Sequence, residues 1–70
     1  MHKIIVLGAG MVGSAMAIDL AKDHQVTVTD VSSSVLDTLG KRAPQLTTQL
    51  LDVTKEKELK QTLSAFDLVI

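Results

Sequence analysis

Three glycines within six residues, Gly8-Ala9-Gly10-Met11-Val12-Gly13, separate a short aliphatic run from a stretch of small and apolar residues. No other feature restricts the fold as much. The run before them, "KIIVL", holds two isoleucines and a valine, the composition of a strand buried on both faces. After them, Met11 to Lys22 are mostly residues a helix tolerates. Val12, Ala15, Met16 and Leu20 form an apolar stripe with Asp19 at its border, and Asp23 and His24 close the segment. A strand that passes through glycine straight into a helix leaves the first amide N–H groups of that helix, and their partial positive charge, at the carboxyl end of the strand.

The rest of the chain repeats the alternation. "QVTVTD" alternates valine and threonine as a strand does. "VSSSVLDTLGKR" predicts a helix with Leu36 and Leu39 on one face, a weak capping box of Ser34 with Asp37, and Gly40 and Pro44 bounding its end. "QLTTQLLD" is a less apolar third strand, expected nearer an edge. "TKEKELKQTL" is a charged helix with Leu59 and Leu63 facing inward, and "FDLVI" is a fourth strand. The order β-α-β-α-β-α-β with connections of this length implies an α/β fold, parallel pairing and right-handed crossovers. The expected strand order is 3-2-1-4, a Rossmann-type parallel sheet, incomplete in its second half. Residues 1–70 are accordingly expected to form the N-terminal part of a dinucleotide-binding domain. The apolar end at "FDLVI" suggests a longer chain, with the catalytic and substrate domain outside this segment.

In that setting Gly8-x-Gly10-x-x-Gly13 has a chemical meaning. Gly8 allows the tight turn, Gly10 lets a pyrophosphate approach the backbone, and Gly13 lets helix and sheet pack closely. A diphosphate would satisfy the exposed N–H groups, with the main chain of Met11 and Val12 assisting. No lysine motif of the P-loop kind is present. Asp30 follows Gly13 by seventeen residues, at the end of the second strand. A carboxylate there accepts hydrogen bonds from the adenosine ribose hydroxyls and repels a 2′-phosphate. The residues after it, Val31, Ser32 and Ser33, supply no arginine, and Lys41 and Arg42 lie at the far end of the next helix. NAD is therefore expected in preference to NADP, with Val31 beside the ribose. A helix-capping role is the alternative for Asp30. Asp52, at the end of the third strand, either reaches the adenine amino group, with Val53 on the ring face, or caps the following helix.

The other polar residues carry less. His2 and His24 fall at the opposite end of the sheet and are expected to be solvated, as is Asp67. Lys55 to Glu58 read as a solvated helix face, and Met11 and Met16 as packing. No catalytic constellation or metal-ligand cluster is visible. A net charge of −1 and a single aromatic residue give no nucleic-acid footprint. Cysteine is absent and no apolar run is long enough for a membrane span, which fits a cytoplasmic protein.

Together "KIIVLGAGMVGSAMAIDLAK", "VTVTD" and "LDVTKEKELKQTLSAFDLVI" resemble the N-terminal segment of the saccharopine dehydrogenase-like proteins, a family that includes lysine 6-dehydrogenase. The resemblance covers essentially the whole chain. It implies an oxidoreductase that transfers hydride from an amino acid to a nicotinamide cofactor, and it supports Asp52 and Val53 near the adenosine. It also implies a homo-oligomer and a small amino-acid substrate held by residues outside the segment. The regulatory RCK/TrkA-N domains of potassium transport systems are similar at the start of the chain and bind nucleotide without chemistry. They commonly have glycine before the aspartate that follows the third strand, where this chain has Leu51.

Overall fold

A computed structural model describes residues 1–70. Four parallel strands, β1 (Lys3–Leu7), β2 (Gln25–Asp30), β3 (Thr47–Leu50) and β4 (Leu68–Val69), form one sheet in the order β3-β2-β1-β4. Three helices connect them: α1 (Met11–Leu20), α2 (Ser33–Arg42) and α3 (Glu56–Leu63). The expected strand order is therefore the observed one. The register pairs Ile4 with Val26 and Val6 with Val28, so these four aliphatic side chains form one block on one face. Ala17 of α1, Leu36 and Leu39 of α2, and Ala43 and Leu46 beyond it complete the core on that face. Ile5, Thr27 and Thr29 alternate to the other face and are buried too. From β3 the chain crosses back over β2 and β1 to β4. With right-handed crossovers, that reversal sends α3 to the opposite face from α1 and α2.

Several local expectations need correction. Of the stripe Val12, Ala15, Met16 and Leu20, the first three point outward, with Val12 74% exposed, and Leu20 packs against the core as expected. The buried side of α1 is instead Ser14 and Ala17, with Gly13, Ile18 and Ala21 partly buried beside them. Contact with the sheet decides this. A Cβ on Gly13 would lie 2.7 Å from the Gly8 carbonyl oxygen and 3.6 Å from Val6 Cγ1. With the helix that close, its first buried turn is made of small residues, and larger ones, Ile18 and Leu20, reach the core only further along. Met11, 90% exposed, is not a packing residue either. The α2 cap is Ser32, whose hydroxyl accepts the Val35 N–H at 3.4 Å, rather than Ser34. Gly40 lies inside α2, which runs on through Lys41 and Arg42; these cations in its last turn oppose the carbonyl end of the dipole. β3 is shorter than "QLTTQLLD", fully exposed, and at the edge as expected. β4 is two residues long, its pairing extended by the Leu7 N–H donating to the Ile70 carbonyl at 2.9 Å. No helix is long and apolar enough to cross a membrane.

Candidate dinucleotide site

The carboxyl ends of β1 and β2 meet at the glycine loop. Gly8 has φ +107°, a backbone conformation that favours glycine, and its N–H donates to the Thr29 carbonyl at 2.8 Å. The chain leaves β1 still bonded to β2 and then turns. Gly10 is the N-cap residue of α1 and has no side chain to offer the helix. No acidic residue stands in the first turn. As a result the N–H groups of Gly10, Met11, Val12 and Gly13 donate to no protein atom. These are the orphan donors of a helix start, gathered where the dipole is positive. Space accompanies them, because a Cβ built on Gly10 meets nothing within 4 Å.

Asp30 stands beside this loop. One carboxylate oxygen, Oδ2, accepts the Ala9 N–H at 2.9 Å, and Oδ1 accepts the Ser32 N–H at 3.0 Å. The Ala9 N–H foremost, then that of Ser32, hold the carboxyl below the usual aspartate range, partial burial opposing them and the Val31 N–H adding to them. The group is thus a carboxylate whose remaining lone pairs can still accept from hydroxyls. It does not cap α2, since Ser32 does that.

A cavity of about 340 Å³ opens at this edge, lined by Leu7, Gly8, Thr29, Asp30, Val31, Leu51 and Val53. Gly8, Asp30, Val31 and Val53 are thus brought together. Asp52 borders a neighbouring cavity of about 240 Å³ with Val31, Leu50, Leu51, Lys55 and Glu58. Its Oδ1 accepts both the Thr54 N–H at 2.9 Å and the Thr54 hydroxyl at 2.6 Å. The Thr54 hydroxyl, then the Thr54 N–H, lower its pKa, with burial opposing and Lys55 assisting. The N-cap of α3 is Lys55, so the capping alternative for Asp52 does not hold; its carboxylate shapes a turn instead. Leu7 and Thr29 are not singled out by the sequence, and Leu51 stands out there only as a family difference, not as a site residue. Leu7 and Thr29 could have been, because they end the same two strands whose ends selected Gly8 and Asp30. Larger cavities, of about 440 and 470 Å³, lie among Lys3, Gln25, Ala65 and their neighbours, toward the other edge of the sheet. They adjoin no free helix amides.

His2, His24 and Asp67 do lie at the edge opposite the glycine loop, but they are joined. The His2 N–H donates to His24 Nδ1 at 3.1 Å and the rings stack at 5.5 Å. Asp67 Oδ2 accepts the Lys3 N–H at 2.9 Å, fastening β4 to β1. His24 is partly buried by these contacts rather than fully solvated.

A nicotinamide dinucleotide fits what is present: free amides for a diphosphate, open space at Gly10, a carboxylate for ribose hydroxyls and an apolar cavity beside it. The comparisons agree. The family model described as "Saccharopine dehydrogenase NADP binding domain" matches residues 4–70, and the chain belongs to that family. Its description supports a nicotinamide dinucleotide and names the phosphorylated form, which runs against the preference read from Asp30. Among solved structures, saccharopine dehydrogenase (L-Glu forming) from Saccharomyces cerevisiae is similar, with a TM-score of 0.81 and 30% identity over 99% of this chain. This chain covers 16% of that one. The 3-hydroxyacyl-CoA dehydrogenase from Archaeoglobus fulgidus shares the fold, with a TM-score of 0.68 and 20% identity over 97% of this chain and 33% of its own. No curated protein matches the sequence significantly.

Proposed function

We propose that this member of the saccharopine dehydrogenase NADP-binding domain family holds the cofactor of an oxidoreductase that acts on the C–N centre of an amino acid. The observation that carries the reading is the unpaired row of N–H groups at Gly10, Met11, Val12 and Gly13 beside the Asp30 carboxylate. The amides and the helix dipole receive the diphosphate, and they need no lysine for it. Asp30 receives the ribose hydroxyls, and Val31 and Val53 flank the adenosine. Asp52, its Oδ2 free of the Thr54 contacts, faces the adenine amino group. When bound, the nicotinamide supplies a hydride acceptor; this chain's residues bind and orient the molecule that carries it. The amino-acid substrate and the groups that handle its proton are assigned to the larger protein, in keeping with the small share of the yeast enzyme that this chain covers.

The finer reading is that NAD binds more tightly than NADP. A 2′-phosphate would enter beside an ionised Asp30, and the residues that follow it in sequence, Val31, Ser32 and Ser33, carry no positive charge. Titration of the full chain with NAD and NADP, read by calorimetry, tests both levels. Binding of neither overturns the cofactor site. Binding of both with NADP the tighter retains the site and overturns the preference.

A further inference from the structure

Ser14 looks unremarkable in the sequence, a small polar residue in a helix. In the structure it is only 6% exposed, and its hydroxyl donates to the Ala9 carbonyl at 2.9 Å. A helical serine usually returns its hydroxyl to the carbonyl four residues back. Here that carbonyl, Gly10, accepts the Ser14 N–H at 2.8 Å, and the hydroxyl reaches one residue further into the glycine loop.

The geometry of the peptide group gives this contact a consequence. No peptide bond in the chain is cis, so the Ala9 carbonyl and the Gly10 N–H, which share one plane, point in opposite directions. Drawing the carbonyl in toward Ser14 turns the Gly10 N–H out. The preceding peptide is fixed as well. Its Ala9 N–H is held by Asp30, and its Gly8 carbonyl lies against α1 at Gly13. The two peptide planes flanking Ala9 are therefore set by two side chains, Asp30 from β2 and Ser14 from α1.

We infer that Ser14 is a positioning residue for cofactor binding, its hydroxyl anchoring the Ala9–Gly10 peptide so that the Gly10 N–H joins those of Met11 and Val12 in facing the diphosphate. This rests on the dinucleotide reading above and adds to it a residue that touches no ligand. A hydroxyl that served only to satisfy itself would affect folding and not distinguish one ligand from another. A positioning hydroxyl acts on ligands with a diphosphate and spares those without one.

The test compares ADP with adenosine on the full chain, by NMR titration, for the wild type, Ser14→Ala and Ser14→Thr. Ser14→Ala is expected to weaken ADP roughly tenfold, on the scale of one hydrogen bond, while adenosine changes by less than about twofold. Ser14→Thr, which keeps the hydroxyl, is expected to restore ADP binding. Equal weakening of both ligands, or no change in either, overturns the inference alone. Failure of the wild type to bind ADP overturns the dinucleotide reading and the inference together. Should Ser14→Ala not fold, amide hydrogen exchange in the wild type decides. Gly10 is expected to exchange freely without ligand and to be protected by ADP, and Ala9 to be protected in both. A Gly10 amide protected in the free chain overturns the proposal.

Discussion

The Asp30 carboxylate accepts the Ala9 N–H at 2.9 Å, joining the end of β2 to the middle of the glycine loop across 21 residues of sequence. A single side chain thus braces the glycine loop from one side and, in the proposed complex, would present its charge to the ribose from the other. Its removal is expected to have two separable effects.

The first effect is on stability against pH. The folded Asp30 carboxyl has a lowered pKa, chiefly through the Ala9 N–H and then the Ser32 N–H. The linked stability is fully present above the unfolded aspartate value of about 3.9, and is lost as pH falls through the lower folded value. Asp30→Asn is therefore expected to be less stable than the wild type by a constant amount from neutrality down to about pH 5, the gap closing below about pH 3.9. Urea unfolding across that range measures it. A gap that persists at the acid end contradicts the assignment. Asp52, also lowered by its Thr54 contacts, contributes acid sensitivity of its own that both proteins share.

The second effect is on cofactor choice. Asp30→Asn removes the negative charge that, in the proposed complex, would face a 2′-phosphate. The affinity ratio of NADP to NAD is expected to rise about tenfold, equivalent to about 1.4 kcal/mol. High salt should shrink the difference, because the interaction is coulombic. An unchanged ratio would place Asp30 away from the ribose.

Gly10→Val separates binding from folding. Gly10 lies at φ −68°, allowed for any residue, and no atom waits within 4 Å of an added Cβ. The variant is expected to melt within a few degrees of the wild type, since surface substitutions usually cost under about 0.5 kcal/mol. Its valine would occupy the space assigned to the diphosphate, so NAD affinity is expected to fall at least about tenfold, or 1.4 kcal/mol. Calorimetry on the folded variant checks the loss.

Gly13→Ala should behave in the opposite way. Its new Cβ would sit 2.7 Å from the Gly8 carbonyl oxygen, a backbone atom that cannot swing aside. Overpacking of this kind costs about 1–3 kcal/mol. In a domain of this size each kcal/mol lowers the Tm by about 4–8 °C. Thermal unfolding of Gly13→Ala with its melting point unchanged would mean that α1 does not lie so close to the sheet.

Ile5→Ala tests the second face of the sheet. Ile5 is fully buried although α3 buries none of its own residues. A loss of about 2–5 kcal/mol is expected, a large part of what holds so small a domain together. Denaturant titration reads it directly, and a loss below about 1 kcal/mol would show that this face is not a true core.

The sequence by itself determined the alternation of strands and helices, the order 3-2-1-4, and the meeting of Gly8, Gly10 and Gly13 with Asp30 at one edge. These follow from local rules: β-branched runs, a glycine turn at a strand end, and the right-handed crossover that leaves few ways to connect them. Tertiary structure alone decided which side of α1 is buried: a Cβ on Gly13 would come within 2.7 Å of the Gly8 carbonyl oxygen, so the turn that meets the loop is built of small residues, Gly13, Ser14 and Ala17. It also decided that Ser14 turns back to Ala9, that Asp52 binds Thr54 instead of capping α3, and that Ser32 caps α2. Periodicity records which residues prefer to leave water. It does not record how near two backbones come, and that distance sets which side of the helix packs on the sheet.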